Sequence, residues 1–157
     1  MNQNIAAEFK PDYTPSEILS MGSFGGGYFR PIWSSVCGEH LQSDYLQFAW
    51  AGEFQAHLII SPRYDATVNY YGVSCGSSLE FWENSGWIKL IDPRGWFQWY
   101  CRYYQGRRCS DDLRQIKRWI AISGRFGRRR IQSSAVKQVL LHWAIKPRLI
   151  PQLMINL

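Results

Sequence analysis

The chain predicts a mainly α fold, a single compact domain of five or six helices joined by long connecting loops, with room for a short strand pair. Three observations predict it. A length of 157 residues suits one hydrophobic core. Helix start and stop signals recur along the chain, and between them apolar side chains take the three-and-four spacing of a helical face. Aromatic residues make up 16% of the sequence, enough large apolar surface to close such a core. The expected organisation is an N-terminal arm over 1–13, a globular domain over 14–146 and an apolar tail over 147–157.

The first helix is announced by Thr14, Pro15, Ser16 and Glu17, with Thr14 as cap, Pro15 in the first turn and Glu17 at the reciprocal capping position. Ile18 and Leu19 give it an apolar face, and Gly22 stops it. Ser23 to Tyr28 then form a loop in which Gly25, Gly26 and Gly27 let backbone or a ligand approach closely. The loop follows a helix and lacks a Lys-Ser/Thr ending, so it is neither a P-loop nor a dinucleotide fingerprint. Leu46, Ala49, Trp50 and Phe54 fit a helical period and predict a helix over 45–57, ended by Ser61-Pro62; Leu58 to Ile60 also suit a buried strand. Arg63 to Val73 read as a loop that presents Asp65 and Asn69 to a ligand or to local backbone.

Ser77 or Ser78 caps a short helix carrying Leu79, Phe81 and Trp82, which Gly86 ends. Trp87 to Ile91 form a buried strand or an extended connector. Asp92 then caps, and Pro93 opens, a helix running to about Gln105 and stopped by Gly106. This is the densest segment of the chain, with six aromatic rings and four arginines between Asp92 and Arg108. Trp96, Trp99, Tyr100, Tyr103 and Tyr104 take the apolar spacing, and Arg94, Gln98, Arg102 and Gln105 a narrower polar stripe, so protein or ligand surrounds the helix. Ser110-Asp111-Asp112 opens the next helix, with Leu113, Ile116, Trp119 and Ile120 on one face and Arg114, Lys117, Arg118 and Arg125 on the others. Gly124 and Gly127 break it, and Arg128, Arg129 and Arg130 follow. Ser133 or Ser134 caps a last helix bearing Val136, Val139, Leu140, Trp143 and Ala144. A helix, a basic turn and a second helix are compatible with a helix-turn-helix, although the linker exceeds its usual three or four residues.

Charge divides the chain at Gly86. The residues up to it carry three Lys and Arg against nine Asp and Glu, a net of −6; the residues after it carry fifteen against three, a net of +12. A split of this size predicts a polyanion partner for the second half, or internal neutralisation of one half by the other. Cys37, Cys75, Cys101 and Cys109 lack the close pairing of zinc ligands, and no cofactor signature is present. The first ten residues lack a basic region followed by an apolar run, and no stretch reaches the roughly 20 apolar residues of a membrane span. The expectation is a cytoplasmic protein with reduced thiols and no membrane partner. His40, His57 and His142 are isolated in sequence, and His142 is expected at the edge of the core.

The string from Asp92 through Arg108, with Arg114-Gln-Ile and Arg118-Trp and then Leu140-Leu-His-Trp-Ala144 after it, resembles a family of bacterial and fungal hypothetical proteins that share this segment. The resemblance spans about residues 14–144. It implies a shared domain and carries over no functional residue.

Two functions follow from the residues. The first is a nucleic-acid-binding module, with Arg107, Arg108, Arg114, Lys117, Arg118, Arg125, Arg128, Arg129 and Arg130 on phosphates and Tyr103 and Tyr104 stacking on bases. The second is a small enzyme or ligand-binding protein acting on an anionic small molecule. Its pocket would lie at the glycine loop, the Asp65–Asn69 loop and the aromatic helix, with Tyr28, Asp65, Asn69, Asp92, Arg94 and Arg102 as its polar groups. The apolar tail from Leu149 to Leu157 would otherwise be an exposed liability and is expected to pack on the domain or in a homodimer.

Overall fold

Helix α4 (Trp96–Tyr104) is the axis of the fold: every residue from Trp96 to Cys101 is buried, so packing surrounds this helix as its composition predicts. The computed structural model describes residues 3–148. Within them the fold is mainly α, with α1 (Gln3–Glu8), α2 (Pro15–Met21), α3 (Leu79–Asn84), α4, α5 (Asp112–Ile122) and α6 (Ser134–His142). Strands β1 (Ile32–Ser34) and β2 (Glu39–Leu41) form an antiparallel pair with Trp33 opposite His40. Helix α2 packs on α4, and α1 on α5.

Local signals set three of the helix starts. Thr14 and Glu17 form a complete capping box at α2. Ser78 accepts from the Phe81 amide at α3, and Ser133 from the Val136 amide at α6. At the end of α5 the chain runs into a π-helical turn, Ser123–Gly127, before the basic stretch.

Three expectations are corrected, and one open choice, over Trp87 to Ile91, is decided. The segment expected as an arm is folded: α1 leads into Phe9, whose ring meets Trp96, Trp99, Tyr100, Tyr103 and Trp119 at centroid distances of 5.2–6.3 Å. Residues 45–57 are not a helix but short 3-10 turns at Asp44–Gln47 and Ala56–Leu58. Phe48 and Trp50, two residues apart, both turn inward against Phe29 and stack on each other at 5.1 Å, and a helix would place them on different faces. Trp87 to Ile91 bury only Ile88 and make a single bridge, Lys89 with Asp92, rather than a buried strand. Asp92 does not cap α4; Gly95 stands at the N-cap, and the Asp92 carboxylate is held by Arg102 and Arg107. The tail from residue 149 onward lies outside the described residues.

Candidate functional site

The glycine loop and the start of α4 meet, as expected, but the glycines serve the chain rather than a ligand. At Gly26 a Cβ would lie 2.0 Å from the His57 carbonyl oxygen, and the loop bonds the passing backbone through Ser61 N–H to Gly26 O and Asp65 N–H to Gly25 O, both 3.0 Å. Asn69 is buried and clasps this crossing: it accepts from the Gly25 amide at 2.8 Å and donates to Tyr64 Oη and Val73 O. Asp65 is exposed, and its carboxylate accepts from the Thr67 amide and hydroxyl. Asp65 therefore takes a local turn role, and Asn69 a structural one that joins two stretches of chain 44 residues apart.

Behind the loop lies a closed polar network. Tyr28 Oη donates to Arg94 O at 2.8 Å and accepts from the Gln98 amide at 2.9 Å. Arg94 donates through Nε and Nη2 to the two carboxylate oxygens of Asp44, at 2.6 and 2.9 Å, and through Nη1 to Tyr28 O. Burial holds the Tyr28 hydroxyl neutral by raising its pKa well above the ordinary value. Asp92 is likewise consumed: Arg107 grips both its oxygens at 2.7 Å while Arg102 reaches one at 2.9 Å. Neither Asp92 nor Arg102 faces the cleft described next.

That cleft has two lobes, of about 580 and 220 Å³, which share walls from Phe24, Tyr28, Gly76, Ser77, Trp82 and His142. Phe24 is the centre of the wall, 4.6 Å from Tyr28, 4.8 Å from Phe97 and stacked on His142 at 4.5 Å. The outer lobe reaches Arg30, Cys75 and Arg94; the inner lobe reaches Trp87, Trp96, Arg118 and Trp143. Gly76 bends at φ +81, and its missing side chain leaves His142 Cε1 only 3.3 Å from where a Cβ would stand. No Asp or Glu lines either lobe among the described residues.

His142 is held in one state. Its Nε2–H donates to the Ser23 carbonyl oxygen, which fixes the proton on that nitrogen and leaves Nδ1 as an acceptor. Burial outweighs this hydrogen bond and pushes its pKa down to about 4, so the ring is neutral at pH 7. Cys75 Sγ lies 3.6 Å from the same Nε2. Burial raises that thiol to about 11. A protonated thiol beside a nitrogen that already bears a hydrogen is not a nucleophile–base pair. Cys37, Cys101 and Cys109 are also free thiols, and among the described residues no group of three or more His, Cys, Asp or Glu side chains could hold a metal ion.

The nine cations expected on phosphates do not form one surface. Arg107 is bound to Asp92, and Arg114 holds Asp111 through two bonds of 2.7 and 2.9 Å. Arg108 lies 3.6 Å over the ring of Tyr103, which occupies the face expected to stack on a base; Tyr104 is exposed. Arg118 turns to the cleft. Lys117, Arg125, Arg128, Arg129 and Arg130 remain exposed, with Arg125 and Arg129 flanking Phe126. Lys117 stands within α5, and the eleven residues of that helix, about 16 Å, lie between Arg107 and Arg108 before it and Arg125 to Arg130 after it.

Reading the residues alone missed Arg30, Trp82, His142 and the Ser74–Ser78 loop as parts of one site. The one signal for Arg30 was its rarity, as one of only three cations before Gly86, set beside Tyr28 and Phe29. Comparison of the chain with models of known families, with curated proteins and with solved structures yields no match. Among the described residues no helix is long and apolar enough to cross a membrane.

Proposed function

We propose that the protein binds an anionic small molecule with an aromatic or apolar body in the two-lobed cleft, as a ligand-binding protein or small enzyme. One contrast carries the reading. Six arginines of the described chain are buried or half-buried; Arg94, Arg102, Arg107 and Arg114 each hold a carboxylate, whereas Arg30 and Arg118 hold none. Those two line the cleft. Arg30 donates to the Gly27 carbonyl and Arg118 to Gln115 Oε1, neutral partners only. Withdrawing a guanidinium from water without a counter-charge is costly. Burial lowers the pKa of both, helped at Arg30 by the charge of Arg94 and at Arg118, which falls to about 10, by that of Arg114; Asp111, paired with Arg114, opposes the fall at Arg118 without reversing it. An anion in the cleft supplies the missing charge, and the rings hold its body.

Titration with the fluorescent aromatic anion 8-anilinonaphthalene-1-sulfonate tests this. Saturable binding is expected, weakened about tenfold or more in Arg30→Gln or Arg118→Gln, the loss of a charge-assisted hydrogen bond of about 1.5–3 kcal/mol. Binding that does not saturate, or that both variants retain in full, removes the proposal.

A second reading, nucleic-acid binding, is supported at the π-helical turn. Arg125, Arg128, Arg129, Arg130 and Arg148 are exposed around Phe126 and Gly127, with no carboxylate partner among the described residues. Phosphate contacts there would give affinity that falls steeply between about 50 and 200 mM salt. Fluorescence anisotropy with single-stranded and duplex DNA and RNA checks it. Replacing Arg128, Arg129 and Arg130 by Ala should then flatten the salt slope, and an unchanged slope would place the contacts elsewhere.

A further inference from the structure

Arg30 and Arg118 stand in different lobes. Arg30 borders only the outer one and Arg118 only the inner one, and the wall between them is shared ring surface and His142. Each has a second arginine acting on it, but Arg94 and Arg114 are already neutralised by Asp44 and Asp111. The charges of Arg30 and Arg118 are left for a ligand. A molecule with one acidic group can answer one of them and leaves the other facing apolar walls.

We propose that the cleft is built for a single aromatic molecule with two acidic ends, one seated on Arg30 and the other on Arg118, its ring body lying along Phe24 and Trp82. The inference rests on the anion-binding reading above and adds to it the number and placement of the charges. Carboxylate, sulfonate and phosphate share the recognising chemistry, a flat fork of donors meeting paired oxygens. His142 lines both lobes, and its unprotonated Nδ1 is free to accept a ligand O–H or N–H between the two ends.

The test compares naphthalene-2-sulfonate with two disulfonates of different span, naphthalene-2,6-disulfonate and biphenyl-4,4′-disulfonate, by displacement of 8-anilinonaphthalene-1-sulfonate and by calorimetry. The better disulfonate should bind the wild-type protein at one per chain and at least tenfold more tightly than the monosulfonate. Arg30→Gln and Arg118→Gln should each abolish that advantage, while Arg63→Gln, an exposed arginine that does not line the cleft, keeps it. Circular dichroism confirms that each variant is folded. Two disulfonates per chain, no advantage over the monosulfonate, or an advantage that survives either cleft variant overturns the proposal. In those cases anion binding itself still stands; failure of all three sulfonates to bind overturns both readings.

Discussion

Arg94 and Asp44, fifty residues apart, form a two-bond ion pair in which the arginine is only 2% exposed and the aspartate 18%. It ties the 3-10 turn at Asp44–Gln47 to the start of the aromatic helix and, with the bond to the Tyr28 carbonyl, engages all three nitrogens of Arg94. Asp44→Asn strands that guanidinium and should destabilise the fold by about 3–5 kcal/mol, read as a fall in the urea midpoint. A loss below about 1 kcal/mol would mean that water reaches Arg94.

At Asp92 two cations converge on one carboxylate of 1% exposure. Asp92→Asn leaves Arg102 and Arg107 both short of charge and should cost about 3 kcal/mol or more. Arg102→Ala should cost less than Asp92→Asn, because the carboxylate keeps both bonds from Arg107. Paired chemical denaturation of the two variants gives the order, and the reverse order contradicts the geometry.

The imidazole of His142 titrates near 6.5 when unfolded and near 4 when folded. Between those values the unfolded chain binds the extra proton, so stability rises with pH across the window and is lost as pH falls through it. The full swing is up to about 3 kcal/mol, since each pH step between the two values contributes roughly 1.4 kcal/mol. Denaturation of wild type and His142→Phe at pH 4 and pH 7 should show a smaller pH dependence in the variant; equal slopes would place the titration elsewhere.

Gly76→Ala asks for a side chain at φ +81 and presses it against His142. The backbone cost is about 1–2 kcal/mol, and the crowded ring narrows both lobes. Binding of 8-anilinonaphthalene-1-sulfonate should weaken at least threefold. Unaltered binding would show that the ligand does not approach this loop.

Helix boundaries were legible in the sequence where they depend on neighbours. Thr14 with Glu17, Ser78 and Ser133 cap what their spacing says they cap, because a cap closes within three residues. The burial of Trp96, Trp99 and Tyr100 was legible for a similar reason, since their period falls inside one helix. Residues 45–57 misled because Phe48 and Trp50 answer to Phe29 rather than to each other's helical spacing. Asp92 misled because the partners that outbid the cap, Arg102 and Arg107, lie ten and fifteen residues on. Of the polar groups named for a candidate pocket, Tyr28 and Arg94 line the cleft. The rest of the cleft was out of reach: Ser23 and His142 meet across 119 residues, and Cys75 and His142 across 67. No local pattern encodes such meetings.

The Asp12 amide donates to the Ala144 carbonyl at 2.8 Å, the Lys146 amide donates to the Asp12 carboxylate at 2.7 Å, and Tyr100 donates to the carbonyl of Tyr13. The stretch a ribosome makes early is thus fastened by the stretch it makes more than a hundred residues later. While synthesis proceeds, Phe9 has none of its five ring partners until Trp96 to Trp119 have left the exit tunnel, and Asp12 has no clasp until Lys146 follows. Residues 9–13 cannot finish packing in order of emergence, as early segments can when domains fold one after another from the N-terminus. This stretch closes late, and a nascent chain stalled before Lys146 should leave it open to proteases and to chaperones that hold exposed aromatic segments.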